Sequence, residues 1–141
     1  MYKLSSITYG IDMWSMAADR DRPLILQKRM VRKLARVPPD TPAQPLFAKL
    51  RLLTVPCLYI VEVLKYVRNN PHEFPTLKSV GHRYNTRSNL TMIPKHRLVK
   101  TSKSLHVMGS RLINKVPKHL LEIRSNRGFL SKIKCLLIDK A

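Results

Sequence analysis

Glycine is scarce in this chain, and its scarcity excludes two common nucleotide-binding motifs. Only four of the 141 residues are glycine: Gly10, Gly81, Gly109 and Gly128. None of them lies close to another. A P-loop and a dinucleotide-binding fingerprint both need several glycines within a few residues, because the backbone must approach phosphate groups closely. The sequence therefore predicts neither of these sites.

Cysteine is also rare, and the two residues present stand alone in apolar surroundings. Cys57 and Cys135 form no CxxC pair, and two cysteines cannot build a disulfide framework. We expect two buried thiols, with a single disulfide between them as the alternative. The five histidines are scattered singly, whereas a structural zinc ion needs four closely spaced nitrogen or sulfur ligands. We therefore expect no metal and no cofactor.

Acidic residues number only eight, and their arrangement argues against catalysis. The closest pair, Asp19 and Asp21, lies in an Asp-Arg-Asp-Arg run that is typical of a helix start. Two-metal phosphoryl transfer needs carboxylates that converge from rigid elements, and no strand-like segment carries them. The sequence also lacks a GxSxG elbow and a Cys–His nucleophile signature. We therefore expect neither catalytic residues nor a small-molecule substrate.

Long hydrophobic runs are missing as well. The most apolar stretch, residues 52–64, contains Pro56 and Glu62 and is shorter than the ~20 residues of a membrane-spanning helix. At the N-terminus, Asp12, Asp19 and Asp21 interrupt any secretory leader. We therefore expect an intracellular chain, nuclear or cytoplasmic, that is neither secreted nor embedded in a membrane.

Positive charge is what the sequence has in excess. It contains 27 Lys and Arg residues against 8 Asp and Glu, which gives a formal net charge of +19. Such a field favours polyanions, so nucleic acid is the first candidate partner and an anionic membrane surface the second. Hydrophobic residues make up 44% of the chain, which is enough for one modest core. Wholesale disorder is therefore not expected.

Apolar residues recur with helical spacing almost throughout, which predicts an all-α fold. A helix that begins after Thr54 is apolar nearly all round, so it belongs at the centre of a bundle. We expect Ser125 or Asn126 to cap the last helix. The helices are predicted over residues 2–14, 19–36, 45–50, 54–68 and 105–116, with a last one after residue 125 and a short turn over 117–123.

The spacing is lost over about residues 71–103, where Pro71, Pro75, Gly81 and Pro94 interrupt the chain. Basic residues are strewn along this stretch, and ~30 residues is long for an idle loop. It is either a disordered connector or a strap that becomes ordered on a partner. We therefore expect a small helical bundle with an irregular basic insert, divided into a helical region (1–70), an extended basic connector (71–103) and a C-terminal helical hairpin (104–141).

The helix predicted over residues 19–36 carries the most functional information. One side is apolar, and the opposite arc holds only cations apart from Ile25. Like charges four residues apart repel each other, so such an arc fits contact with a polyanion better than contact with bulk water. The apolar side consists of Leu24, Leu26, Gln27, Met30, Val31, Leu34 and Ala35. The cations are Arg22, Lys28, Arg29, Arg32, Lys33 and Arg36.

The order of short motifs resembles one family. Across nearly the whole chain it is similar to the C-terminal region of non-LTR (LINE-type, jockey-like) retrotransposon reverse transcriptases. The motifs are Tyr9-Gly10-Ile11-x-x-Trp14, Leu26-Gln27-Lys28-Arg29 with Arg32, Pro45-Leu46-Phe47, Leu53-Thr54-Val55-Pro56, Tyr59-Ile60-x-Glu62, His82-x-Tyr84-Asn85-Thr86-Arg87, Asn114-Lys115-x-Pro117 and Phe129-x-x-x-Ile133-Lys134.

The resemblance implies an RNA-directed DNA polymerase without its catalytic part. In that family the catalytic aspartates lie in the palm, upstream of the region matched here, within an (F/Y)xDD turn. This sequence contains no such turn. The resemblance therefore implies a thumb and post-thumb fragment of a transposable element that is inactive alone and binds RNA or DNA through the phosphate backbone.

The resemblance also implies roles for single residues. Tyr9, Trp14 and Leu26 match packing positions, whereas Lys28, Arg29 and Arg32 match a basic surface beside the template–primer duplex. The segment with His82, Arg83, Tyr84, Thr86 and Arg87 is either a structural turn or a nucleic-acid contact. In the second case Tyr84 stacks on a base and Arg87 binds a phosphate.

Three other functions stay open at this point. One is a host-encoded, standalone basic helical module that binds RNA or DNA. Another is a peripheral membrane protein that uses a basic amphipathic helix. The last is a degenerate chain that has kept no activity.

Overall fold

The computed structural model describes residues 10–11, 21–77 and 90–139. Within these ranges the chain is all-α as predicted, and its only β pairing is an isolated antiparallel bridge between Thr76 and Thr91. The helices are α1 (Asp21–Leu34), α2 (Gln44–Lys49), α3 (Val55–Asn69), α4 (Val99–Ser102), α5 (Leu105–Lys115), α6 (Lys118–Leu121) and α7 (Asn126–Asp139).

Helix α3 is the centre of the bundle, as its apolar composition predicted. One side of it packs into the main core, where Leu58 and Val61 meet Phe129 of α7. Its other side packs around Phe74, which follows a short 3-10 turn at Pro71–Glu73. Ile11 also belongs to the main core and is almost fully buried. Residues from the start, middle and end of the described chain therefore share one core.

A second, smaller cluster joins α1 to α2. It consists of Val31 from α1 together with Ala43, Leu46 and Phe47. Phe47 is almost fully buried, so α2 acts as a short brace beneath α1. Because burial of each large apolar side chain contributes about 2 kcal/mol, this cluster fixes which side of α1 faces inward.

Helix α5 approaches α3 closely at one glycine. A Cβ atom placed on Gly109 would lie 2.8 Å from a side-chain carbon of Val67 and 2.8 Å from one of Phe74. Any other residue at this position therefore forces the two packed side chains apart. Glycine is therefore the residue that fits where α5 crosses α3.

The start of α7 is held by its own cap and by an arginine from α3. The Gly128 amide donates to Ser125 Oγ at 3.3 Å, which confirms Ser125 as the cap. Arg68 donates from Nε to Asn126 Oδ1 at 2.8 Å and from a terminal nitrogen to the Ile123 carbonyl oxygen. Its guanidinium carbon lies 4.5 Å from the centre of the Phe129 ring. Arg68 therefore joins the central helix to the last one.

The predicted insert is irregular where the structure describes it. Residues 71–77 and 90–103 contain the 3-10 turn and the four-residue α4, two short helical pieces that the sequence pattern did not indicate. Asn114 of α5 donates to the Thr91 carbonyl oxygen at 2.9 Å and accepts from its amide at 2.8 Å. Residues 78–89 lie outside the described part of the chain.

The expectation of two buried thiols is wrong for one cysteine. Both cysteines are free; Cys57 is partly buried and Cys135 is exposed. Cys135 lies on α7 two residues after the buried Ile133, which turns it by about 200° to the solvent side of the helix. The apolar residues that follow it in the sequence suggested burial, but the helix directs only part of that run inward.

Candidate nucleic-acid interface

The six cations predicted on one side of α1 form what we call the basic arc: Arg22, Lys28, Arg29, Arg32, Lys33 and Arg36. All of them are exposed except Arg32, which is half-buried. Arg22 to Lys33 lie within α1, and Arg36 follows two residues after its end. Five of the six cations therefore lie on α1 itself, and the sixth lies just beyond its end.

The orientation of the arc is set by Gln27. Its Nε2 donates to the Leu53 carbonyl oxygen at 2.8 Å, and its Oε1 accepts from the Val55 amide at 2.9 Å. Val55 is the first residue of α3, so Gln27 satisfies an amide that has no partner within its own helix. The expected cap, Thr54, occupies the N-cap position but makes no side-chain bond to the helix. Gln27 and Val31 together direct one side of α1 inward and the basic arc outward.

Arg32 is partly engaged by the protein itself. Its Nε donates to the Thr41 carbonyl oxygen at 2.7 Å, which ties the turn before α2 to α1. A guanidinium has five N–H donors, so this one bond fixes the position of the group without exhausting its capacity. Arg32 is therefore both a structural residue and a member of the arc.

Arg36 sits in a backbone conformation that most residues avoid. Its φ is +52°, in the left-handed region where glycine is usually found. The Arg36 amide donates to the Lys33 carbonyl oxygen, and the Val37 amide donates to that of Arg32 at 3.1 Å. These two bonds are those of a Schellman motif, so Arg36 terminates α1 and places a sixth cation beside it.

The acidic residues with described contacts lie elsewhere. Glu62 pairs with Lys65 at 3.1 Å on α3. Glu73 accepts a hydrogen bond from the Tyr66 hydroxyl at 2.8 Å and lies 3.7 Å from a ring nitrogen of His106. Glu62 and Glu73 thus pair with residues outside the basic arc, and the one acidic residue of α1 is Asp21, in its first turn.

The apolar side of α1 differs from the prediction. Val31 is buried, but Leu26, Met30 and Leu34 are exposed by 58%, 62% and 68%. On the helix these three lie about 140°, 100° and 60° from Val31, on the flank away from α2 and α3. The bundle covers only the Gln27 and Val31 side, because α1 meets it along one edge. The packing position that the resemblance implies for Leu26 is therefore wrong within the described structure.

The second group of predicted contacts, Arg83, Tyr84 and Arg87 with His82 and Thr86, lies outside the described residues. Whether it joins the basic arc stays a prediction. Sequence reasoning also missed one further exposed cation, Arg51. It follows α2 at a φ of +50° and is exposed. No amino-acid pattern marks it, because an arginine rarely takes that conformation.

Two negative observations narrow the chemistry of the described part of the chain. Its His, Cys, Asp and Glu residues form no group of three or more that could hold a metal ion. None of its helices is both long and apolar enough to span a bilayer. What the described site offers is a dense set of cations on and just beyond a helix that Gln27 and Val31 hold against the bundle.

The chain matches no family model, no curated protein and no solved structure. The likeness to retrotransposon reverse transcriptases therefore stays an expectation from the sequence motifs. The case for a function rests on the basic arc and on how the fold holds it.

Proposed function

We propose that the chain binds RNA or DNA through the phosphate backbone, with the basic arc as its principal contact. The observation that carries this proposal is the excess of positive charge on α1 and just beyond its end: six cations from Arg22 to Arg36 have no acidic residue between them, and Asp21 is the one acid of the helix. On the strength of the sequence motifs, we further propose that the chain is the thumb and post-thumb region of a non-LTR retrotransposon reverse transcriptase. In this role it binds nucleic acid and has no polymerase activity of its own.

The mechanism is electrostatic. Each Lys or Arg that neutralises a phosphate releases condensed counterions, which drives binding and makes it depend on salt. Within α1 the arc runs from Arg22 to Lys33, and at about 1.5 Å per residue this part spans about 17 Å. A surface of that length faces several phosphates, because duplex DNA carries one charge per about 1.7 Å of axis. Six phosphate contacts predict a slope of log K against log salt of about −5.

The way α1 is held supports this assignment. A flexible basic tail also binds polyanions, but it must lose conformational freedom in doing so. Here Gln27, Val31 and the bond from Arg32 to Thr41 fix the helix before any ligand arrives. Pre-organised cations favour binding to a regular array of phosphates over binding to scattered charges.

The test compares two triple variants of the full chain. In the arc variant, Lys28, Arg29 and Lys33 are replaced by Gln. The matched control replaces Arg127, Lys132 and Lys134, three exposed cations of α7. Affinity for a labelled duplex is measured by fluorescence anisotropy over a range of salt concentrations. We expect the arc variant to flatten the slope by about 3 units and the control to leave it unchanged. An unchanged slope in the arc variant overturns the proposal, as does equal flattening in both.

A second candidate, a standalone nucleic-acid-binding module, is favoured by one observation. Ile11, Leu58 and Phe129 lie far apart in the sequence and share one core. A region that closes its own core in this way can fold without a neighbouring domain. The full chain then melts cooperatively and sediments as one monodisperse species. A chain that needs the rest of a polymerase instead aggregates through exposed apolar surface.

A further inference from the structure

Part of the exposed apolar flank of α1 lines a groove beside the basic arc. Leu26, Met30 and Leu34 follow one another at intervals of four residues, so their side chains lie in a row. Leu26 and Met30 line the groove, which has a volume of about 630 Å³, and Val37 and Pro39 contribute to its wall beyond the end of the helix. Leu34 continues the row but does not line the groove. Exposed apolar surface that is continuous rather than scattered marks a place where something binds.

The remaining wall of the groove is positively charged. Arg29, Arg32 and Lys33 line it together with the apolar residues, and no acidic residue does. A ligand that fills this groove must therefore cover aliphatic side chains and meet three cations along one edge. An amphipathic segment with apolar residues on one face and carboxylates along its border satisfies both demands.

We propose that this groove binds an acidic amphipathic helix of a partner protein, a function beyond nucleic-acid binding that shares Arg29, Arg32 and Lys33 with the basic arc. From Leu26 to Leu34 the row is about 12 Å long, which matches about two turns of a helix. Apolar residues at positions i, i+4 and i+7 of the partner lie on the row, and flanking Glu or Asp side chains face Arg29 and Lys33.

Other occupants fit this groove less well. A second copy of this chain would place its own Arg29 and Lys33 against the same cations, and each copy carries a charge of +19. Single-stranded nucleic acid binds apolar surface by stacking bases on aromatic rings, whereas the residues that line this groove include no aromatic ring. A bilayer is flat, whereas Leu26 and Met30 line a groove whose wall also includes Val37 and Pro39.

The test uses three labelled peptides with the full chain at about 0.15 M ionic strength, where charges more than about 8 Å apart are largely screened. The first peptide is helical, with leucines on one face and glutamates around it. The second is a scrambled form of the same composition. The third keeps the leucines and replaces every glutamate by lysine. We expect the acidic helical peptide to bind at least tenfold more tightly than either of the others.

Two double variants then locate the binding site. Leu26→Ser with Met30→Ser removes the two apolar side chains of α1 that line the groove. Leu98→Ser with Val99→Ser is the control, because these residues are exposed by 69% and 76% and lie at α4. We expect the groove variant to bind the acidic peptide at least tenfold more weakly, and the control to stay within twofold of wild type. All four positions are exposed, so circular dichroism should show the wild-type fold in both variants.

Several results overturn the proposal. Equal binding of the scrambled peptide shows that net charge alone attracts it, and an unaffected groove variant places the peptide elsewhere. Concentration-dependent dimers that disappear in the groove variant identify a second copy as the occupant. Binding of wild type but not of the groove variant to vesicles with anionic lipid, without peptide binding, identifies a membrane. Duplex affinity is measured in parallel and is expected to be unchanged in the groove variant, so failure here is distinct from failure of the nucleic-acid proposal.

Discussion

Arg36 and Arg51 occupy the same strained position at the ends of two successive helices. Each follows the C-cap residue of its helix, and their φ angles are +52° and +50°. In both cases the amide of the next residue donates a hydrogen bond to a carbonyl oxygen of the helix. The Val37 amide donates to the Arg32 carbonyl oxygen at 3.1 Å, and the Leu52 amide donates to that of Phe47 at 2.9 Å. Glycine is the usual residue at this position because it has no Cβ, and a residue with a side chain costs about 1 kcal/mol there.

The strain at Arg36 and Arg51 leads to a stability prediction. Replacing either arginine by glycine should raise the free energy of unfolding by about 1 kcal/mol, because the left-handed conformation is then unstrained. For a chain of this length that is a rise in Tm of roughly 3 °C. Thermal denaturation followed by circular dichroism measures it.

Arg36→Ala is the control for this prediction. Alanine also removes the charge but keeps a Cβ, so its Tm should stay close to that of wild type. In the proposed function, Arg36→Gly and Arg36→Ala should weaken duplex binding equally, although only the first stabilises the fold. A glycine variant that is no more stable than the alanine variant would show that the Arg36 backbone is not strained.

Gln27 is predicted to contribute strongly to stability, because its side chain joins α1 to the start of α3. Gln27→Ala leaves the Leu53 carbonyl oxygen and the Val55 amide without their partner, so the free energy of unfolding should fall by about 2 kcal/mol. The free energy of unfolding of Gln27→Glu should lie between those of wild type and Gln27→Ala. The reason is that a carboxylate accepts from the Val55 amide but cannot donate to the Leu53 carbonyl oxygen. Urea denaturation measures all three proteins.

Gln44→Ala serves as the control for Gln27→Ala. Gln44 is exposed at the first turn of α2, so its loss should change stability by less than about 0.5 kcal/mol. Equal losses at the two positions would mean that the amide bridge between α1 and α3 contributes nothing.

The sequence predicted the fold better than it predicted the surface of α1. Helical spacing found the central helix and a short helix at residues 45–50, observed at 44–49, and residue types gave Ser125 or Asn126 as the cap. Each of these depends on neighbours in the chain. Spacing also put Leu26 and Met30 on the apolar half of the helix, and the resemblance implied a packing position for Leu26. How much of that half is covered depends on where α2 and α3 pack, and spacing along one helix carries no such information.

The same limit applies to the candidate site. The cations of the basic arc were identified because they share one helix and one sign of charge. The double hydrogen bond of Gln27 joins residues 26 and 28 positions apart, and the bond from Arg32 to Thr41 crosses a turn. Such long-range polar contacts leave no periodic signal, so the sequence indicated which residues are charged but not what holds them in place.

Gly109 is predicted to tolerate no side chain. A Cβ there would come within 2.8 Å of Val67 and Phe74, so Gly109→Ala should lower the free energy of unfolding by about 1–3 kcal/mol through overpacking. Gly128→Ala is the matched control, because its nearest neighbour would be Ile123 at 3.4 Å. Alanine favours a helix more than glycine does, so this control should be neutral or slightly stabilising.

Replacing Phe74 by a smaller residue tests why Gly109→Ala lowers the free energy of unfolding. If contact with the Phe74 ring produces it, Phe74→Leu should destabilise the wild type more than it destabilises the Gly109→Ala protein. The double-mutant cycle measures that coupling. Additive effects of the two substitutions would show that α5 shifts to accommodate the alanine, so that the alanine does not press against the Phe74 ring.

Arg68 provides the clearest separation between an arginine that stabilises the fold and one that binds a ligand. Its guanidinium contacts Asn126, the Ile123 carbonyl oxygen and the face of Phe129 together, a combination that requires a planar group with several donors. Arg68→Lys keeps the charge and loses that geometry. We expect a loss of about 1–2 kcal/mol in the free energy of unfolding, against no measurable change for the exposed Arg124→Lys.

The salt dependence of nucleic-acid binding should respond in the opposite way. Because Arg68 is engaged within the fold and a lysine keeps the charge, the slope of log K against log salt should be the same in Arg68→Lys and wild type, measured well below the Tm of the variant. Lys28→Gln, which removes one cation from the basic arc, should reduce the slope by about 1 and leave the Tm unchanged. A smaller slope in Arg68→Lys would mean that binding depends on the packing of α7 against α3 as well as on the charges of α1.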